Sequence, residues 1–231
     1  MREAPDEALF GAVAGNARPL RLFIGVACPC TPAIAALLDD LHNRLEGAAG
    51  LRVVARQNLH ITLKFIGAAK ASAVPGIVNV MQQALANQRS FELQLQGAGR
   101  FESALWLGVA PNATLTALAA KLNEALAPLG FAPETKPFRP HLTLARLTLN
   151  SPPVGAGLPA IEPTTVGANP KGIKDPPTIT TWLRQHHERH WGKLPVTTVN
   201  LYRSDTLPDG VRYTVLFTAA LSAVQPQPAA P

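Results

Sequence analysis

Two segments of this 231-residue chain repeat one pattern, and that repeat constrains the fold more than any other feature. A helix-spaced apolar series, Ile34, Leu37, Leu38, Leu41 and Leu45, runs out at Gly47 or Gly50, and ten residues after Gly50 comes His60-Ile61-Thr62-Leu63. A second series, Leu115, Leu118, Leu122 and Leu126, runs out at Gly130, and eleven residues later comes His141-Leu142-Thr143-Leu144. The first part of each unit has helical spacing and the second alternates, so each reads as a helix followed by a strand. Two copies of one module predict two lobes related by a pseudo-twofold, with the His-Thr pairs in equivalent places.

The surrounding pattern fills in the rest. Strands are expected over 21–27, 58–67, 91–96, 104–110 and 138–147. Thr31-Pro32 should start the first helix, with proline at its first position. Further helices are expected over 73–87, from an Asn112 cap onward, and over 179–191. Two closing strands meet through Leu207-Pro208-Asp209-Gly210, a hairpin signal. Mixed strands and helices with a terminal hairpin point to an α+β fold: antiparallel sheets flanked by helices around a central cleft. The stretch 150–178 is rich in proline and glycine and reads as an insertion, and 1–17 and 223–231 read as flexible tails. One bilobal domain over 18–222 is expected.

Composition narrows the class. At 47% hydrophobic the chain can bury a core, yet no apolar run approaches the roughly 20 residues of a membrane span. The first residues are mixed with acids and carry no apolar leader, and Cys28 and Cys30 are too few and too close to form a disulfide framework. A monomer of the reducing cytosol fits these features, without membrane partners. The net charge of +6, on a chain only 16% charged, suits either solubility or an anionic partner.

In a strand, residues two apart share a face, so His60, Thr62 and Lys64 point one way while Ile61, Leu63 and Phe65 point into a core. His141 and Thr143 likewise share a face. Facing lobes would bring two imidazoles and two hydroxyls to one cleft. In-line displacement at phosphorus needs a base on the attacking oxygen and an acid on the leaving oxygen, and histidine serves both near neutral pH. Hydroxyls can hold the non-bridging oxygens, and no metal or cofactor is needed. With 17 threonines and 47% apolar residues, His-apolar-Thr-apolar arises by chance about 0.1 times among six histidines. Two copies after similar helices are therefore a signal.

The pair HITL at His60 and HLTL at His141 resembles the hallmark of the two-histidine (2H) phosphoesterases. RLFIGV, NLHITLKFIG, LWLGV, FRPHLTLARL and LYRSDTLPDGVRYTVLF are similar to segments of one branch, the RNA 2′,3′-cyclic phosphodiesterases, also called RNA 2′,5′-ligases. That resemblance implies hydrolysis of RNA ends bearing 2′,3′-cyclic phosphate to a 2′-phosphate, with reversible 2′,5′ joining of tRNA halves. It implies His60 and His141 as the acid–base pair, with His60 protonating O3′ and His141 activating water, and Thr62 and Thr143 as phosphate holders. Two other functions fit the same residues: a 2H esterase acting on a small cyclic nucleotide or ADP-ribose cyclic phosphate, and a non-catalytic RNA- or nucleotide-binding module. Relatives usually connect the second motif strand to the closing hairpin more briefly, which sets the insertion apart.

Lys64 and Phe138 are candidate RNA contacts, through a backbone phosphate and a stacked base respectively. Arg139 and Arg146 are candidates for substrate phosphates, although alternation turns Arg146 away from His141 unless the strand bulges. Three other motifs fail. Residues 167–174 lack the Gly-Lys-Ser/Thr ending of a phosphate loop, and 186–190 lack the metalloprotease spacing, though His186 and His190 would share a helix face. Cys28-Pro29-Cys30 is not a redox spacing and reads as inert thiol.

Overall fold

The computed structural model describes residues 18–45, 51–101, 103–147, 177–208 and 210–223. The two tails through residues 17 and from 224, the helix-ending Gly47 and Gly50, and the insertion as far as residue 176 lie outside the described residues.

Strand β1 (Leu20–Ala27) leads to helix α1 (Pro32–Leu45), whose start is capped where Thr31 Oγ1 accepts from the Ile34 amide at 3.3 Å. A short strand β2 (Leu51–Val53) precedes β3 (His60–Ala69), α2 (Val74–Leu85), β4 (Phe91–Phe101) and β5 (Ala104–Val109). Helix α3 (Ala113–Ala125) starts at the expected cap, with Asn112 accepting from the Leu115 amide at 2.8 Å. Then come β6 (His141–Leu147), α4 (Pro177–His186), β7 (His190–Val196), β8 (Thr198–Leu207) and β9 (Gly210–Ala220). The apolar stripes sit where periodicity put them: Ile34, Leu37, Leu38 and Leu41 of α1 and Leu115, Leu118 and Leu122 of α3 are all buried.

The strands pair antiparallel in the order β7-β4-β5-β6-β3-β1-β8-β9, with β2 added to β6. Two four-stranded lobes, β3-β1-β8-β9 and β6-β5-β4-β7, meet at one pair of residues, Ile61 and Leu142. These are the middle residues of the two His-x-Thr motifs. The pseudo-twofold axis therefore passes through the motif pair itself, and antiparallel direction puts His60 toward Thr143 and His141 toward Thr62. The expected α+β architecture of two related lobes stands.

The lobes exchange strands. Matching β3 to β6 matches β1 to β5 and β8 to β4, so the chain sends β4 into the second lobe directly after α2, and β8 and β9 back into the first after β7. Where sequence and structure part company is local. The expected helix over 179–191 ends at His186, and His190 opens β7, so those two histidines do not share a helix face. Burial of Trp182 and Trp191 on either side of His186 drives the break, with ring centroids 4.9 and 5.3 Å from the imidazole. β2 falls in a stretch that reads as loop, because three residues carry no period.

Candidate active site

The geometry of the site is set by two equivalent bulges. Along β1–β3, Gly25 pairs with Thr62 and Ile24 with Lys64, so Leu63 is the extra residue. Along β5–β6, Trp106 pairs with Thr143 and Leu105 with Ala145, so Leu144 is the extra residue. An extra residue reverses the facing of all that follows. Leu63 and Lys64 are both buried, and so are Leu144 and Ala145. Phe65 and Arg146, the next residues, are thereby turned onto the face of the histidines.

Two expectations are corrected on this ground. Lys64 does not share the His60 face: it is 5% exposed, and its ammonium donates to Asn123 Oδ1 and the Ala132 carbonyl, both at 2.7 Å. Burial lowers its pKa, and Glu134 opposes that shift. Phe65 does not enter the core; it is 56% exposed, its ring centroid 6.4 Å from that of Phe23. Arg146, which alternation turned away, lies close enough for its charge to act on both histidines.

Each imidazole is held in the same way. Nδ1 of His60 lies 2.7 Å from the carbonyl of Asn58, and Nδ1 of His141 lies 2.8 Å from that of Arg139. A carbonyl only accepts, so Nδ1 carries the proton and Nε2 holds the free lone pair in the neutral ring. Among the described residues neither Nε2 has a hydrogen-bond partner. Burial pushes His60 down to about 4, the charges of Arg146 and His141 adding to that and the Asn58 hydrogen bond opposing it. His141 is lowered by burial and by Arg146, against the Arg139 hydrogen bond. Both shifts favour the neutral ring.

Aromatic walls flank the rings. His60 packs against Phe23 and Tyr213 at 4.7 and 5.0 Å, with Tyr202 at 6.1 Å. His141 packs against Phe101 at 4.8 Å and Trp106 at 6.4 Å. The walls differ because Trp106 occupies the position matched by Gly25 in the other lobe, where any Cβ would sit 2.8 Å from the Ile61 carbonyl oxygen. The indole lies over Gly99, where a Cβ would collide with it. On the His60 side opens a pocket of about 530 Å³, lined by Cys28, Cys30, Arg56, Asn58, Tyr202 and Tyr213 among others. Cys28 is buried there, its thiol pushed up to about 12 by burial and by Cys30.

Of the remaining candidates, Thr62 and Thr143 are half-buried beside their histidines, and Arg139 is exposed. Phe138 is half-buried against the core. The sequence reading missed the aromatic walls. The signal available was that both tyrosines of the chain fall in the closing hairpin.

The family model described as the 2′-5′ RNA ligase superfamily matches residues 31–161, a span that holds both motifs. An RNA 2′,3′-cyclic phosphodiesterase of Methanothermobacter thermautotrophicus is 28% identical over 77% of this chain and 86% of its own. One from Archaeoglobus fulgidus is 30% identical over 58% of this chain and 77% of its own. LigT of Escherichia coli, solved by crystallography, superposes with a TM-score of 0.62 at 26% identity, covering 89% of this chain and 99% of LigT. LigT has also been solved with 3′-AMP and with phosphate.

Proposed function

The chain belongs to the 2′-5′ RNA ligase superfamily, and on that footing we propose that it hydrolyses RNA ends bearing 2′,3′-cyclic phosphate, leaving a 2′-phosphate. The observation that carries this reading is the matched pair of imidazoles, each pinned through Nδ1 to a carbonyl two residues back and each beside a threonine. His141 Nε2 takes a proton from the attacking water as its oxygen bonds to phosphorus. The P–O3′ bond breaks on the opposite side, and protonated His60 Nε2 gives its proton to O3′. Proton exchange with solvent resets both rings.

His60 is assigned the acid because O3′ carries the nucleoside, and the pocket of about 530 Å³ that suits a nucleoside abuts His60. The ring must gain a proton before it can act. A bound phosphate anion beside the ring favours the imidazolium and opposes the burial that lowers it to about 4. Thr62 and Thr143 hold the non-bridging oxygens, and Arg146 neutralises the charge that builds on them. Arg139 reaches substrate from the cleft rim, where it is exposed, and Phe138 contributes to the RNA-facing surface. With the 5′-hydroxyl of a second RNA attacking in place of water, the same residues join ends through a 2′,5′ linkage: His141 takes the proton of that hydroxyl and O3′ again leaves with the proton from His60.

The test is hydrolysis of 2′,3′-cyclic AMP and of a short RNA with a cyclic phosphate end, in EDTA. The native enzyme should turn over the RNA, and His60→Ala or His141→Ala should each lose about a hundred-fold or more in kcat/KM with an intact circular dichroism spectrum. Near-native activity in either variant sinks the assignment. Turnover of the mononucleotide alone would redirect it to a small cyclic nucleotide, and turnover of neither to a binding module.

A further inference from the structure

Strand β2 pairs with β6 alone, and its central residue, Arg52, stands directly across from Arg146. Cross-strand partners share a face, so the arginines project together. Like charges placed directly opposite destabilise a ladder. Neither makes an ion pair with a described residue, although other surface arginines do: Arg56 bonds Asp39 at 2.6 Å and Arg203 bonds Asp205 at 2.8 Å. The exposed guanidinium of Arg52 reaches the β8–β9 turn, where its Nη1 lies 3.9 Å from the position a Cβ on Gly210 would take. That turn is tied to the wall of the nucleoside pocket, since Asn58 Nδ2 donates to the Val211 carbonyl at 2.7 Å.

An arginine pair with no ion-pair partner among the described residues, beside a phosphate-cleaving centre, suits two neighbouring anions. We propose that Arg52 binds the phosphodiester one nucleotide upstream of the cyclic phosphate, so that the preferred substrate is an oligonucleotide and not a mononucleotide. This rests on the hydrolase reading above. Arg146 serves the reacting phosphate, and Arg52, one strand further out and against the hairpin turn, meets the chain where it leaves the pocket on the His60 side. The rest of β2 presents no other charge, and its three residues hold Arg52 at this register.

The experiment compares kcat/KM for 2′,3′-cyclic AMP and for a short RNA ending in cyclic phosphate. It is paired with fluorescence anisotropy of a labelled RNA ending in 2′-phosphate across a series of KCl concentrations. Arg52→Gln should reduce the RNA-to-mononucleotide ratio of kcat/KM roughly ten-fold, the weight of one charge-assisted contact. It should also flatten the salt dependence of RNA binding by about 0.7 in log–log slope, and Arg52→Lys should restore most of that slope. An unchanged ratio together with an unchanged slope overturns the proposal. If the native protein hydrolyses neither substrate, the hydrolase reading fails by itself, and the binding slope alone then decides for or against Arg52.

Discussion

Each imidazole is oriented by a main-chain carbonyl, whose hydrogen bond favours the charged ring but is outweighed by burial; the groups that shift the titration include no carboxylate. Free-enzyme groups govern the pH dependence of kcat/KM. With both rings lowered from 6.5, the optimum of kcat/KM should lie on the acid side of that value. Arg146 contributes to both shifts. Removing its charge in Arg146→Gln should raise both pKa values and move both limbs of the profile to higher pH, besides lowering activity. A rate profile for the variant decides the matter: limbs that stay in place or move down would show that Arg146 does not act on the rings. Arg146 also marks the limit of reading residues one at a time. Its type suited phosphate, but its facing depended on Leu144, whose doubling of the strand leaves no mark on composition or period.

At the level of elements, the helices and the motif strands were legible because each carries a sustained period: Ile34, Leu37 and Leu41 in α1, Leu115, Leu118 and Leu122 in α3. The Thr31 and Asn112 caps were legible for the same local reason. What was not legible depends on partners distant in sequence. Lys64 is the sharpest instance. Alternation put it beside His60, whereas the bulge at Leu63 turns it inward to bridge β3 to α3 through Asn123 and to the Ala132 carbonyl. Its function is thus to fasten β3 to the helix that packs against it. Lys64→Met should cost about 1–3 kcal/mol, since it leaves the Ala132 carbonyl without its donor, while KM for RNA stays constant. Denaturation in urea measures the first and steady-state kinetics the second; a rise in KM without loss of stability would return Lys64 to the RNA surface. The Asn123 side chain remains partly satisfied in that variant, because its Oδ1 also accepts from the Glu134 amide at 2.8 Å.

Across the whole molecule, both catalytic candidates lie at the seam between the lobes, so their ionisation is a property of the assembled fold. His60 titrates near 4 in the folded protein and near 6.5 once unfolded. Between those values the unfolded chain binds more protons, so stability present above pH 6.5 should drain away as pH falls toward 4. The melting temperature should follow that course, and less steeply in His60→Asn; an identical slope in the variant would assign the acid sensitivity elsewhere. The exchange of β4 and β8 between lobes has a different consequence, one of timing. His60 is enclosed by Phe23, which is synthesised before it, and by Tyr202 and Tyr213, which follow 142 and 153 residues later. A growing chain on the ribosome can therefore close neither the first lobe nor the His60 wall until its closing hairpin has emerged. Every intermediate length exposes the β1 edge that β8 will cover, and the wall around His60 is complete only once β8 and β9 have been made.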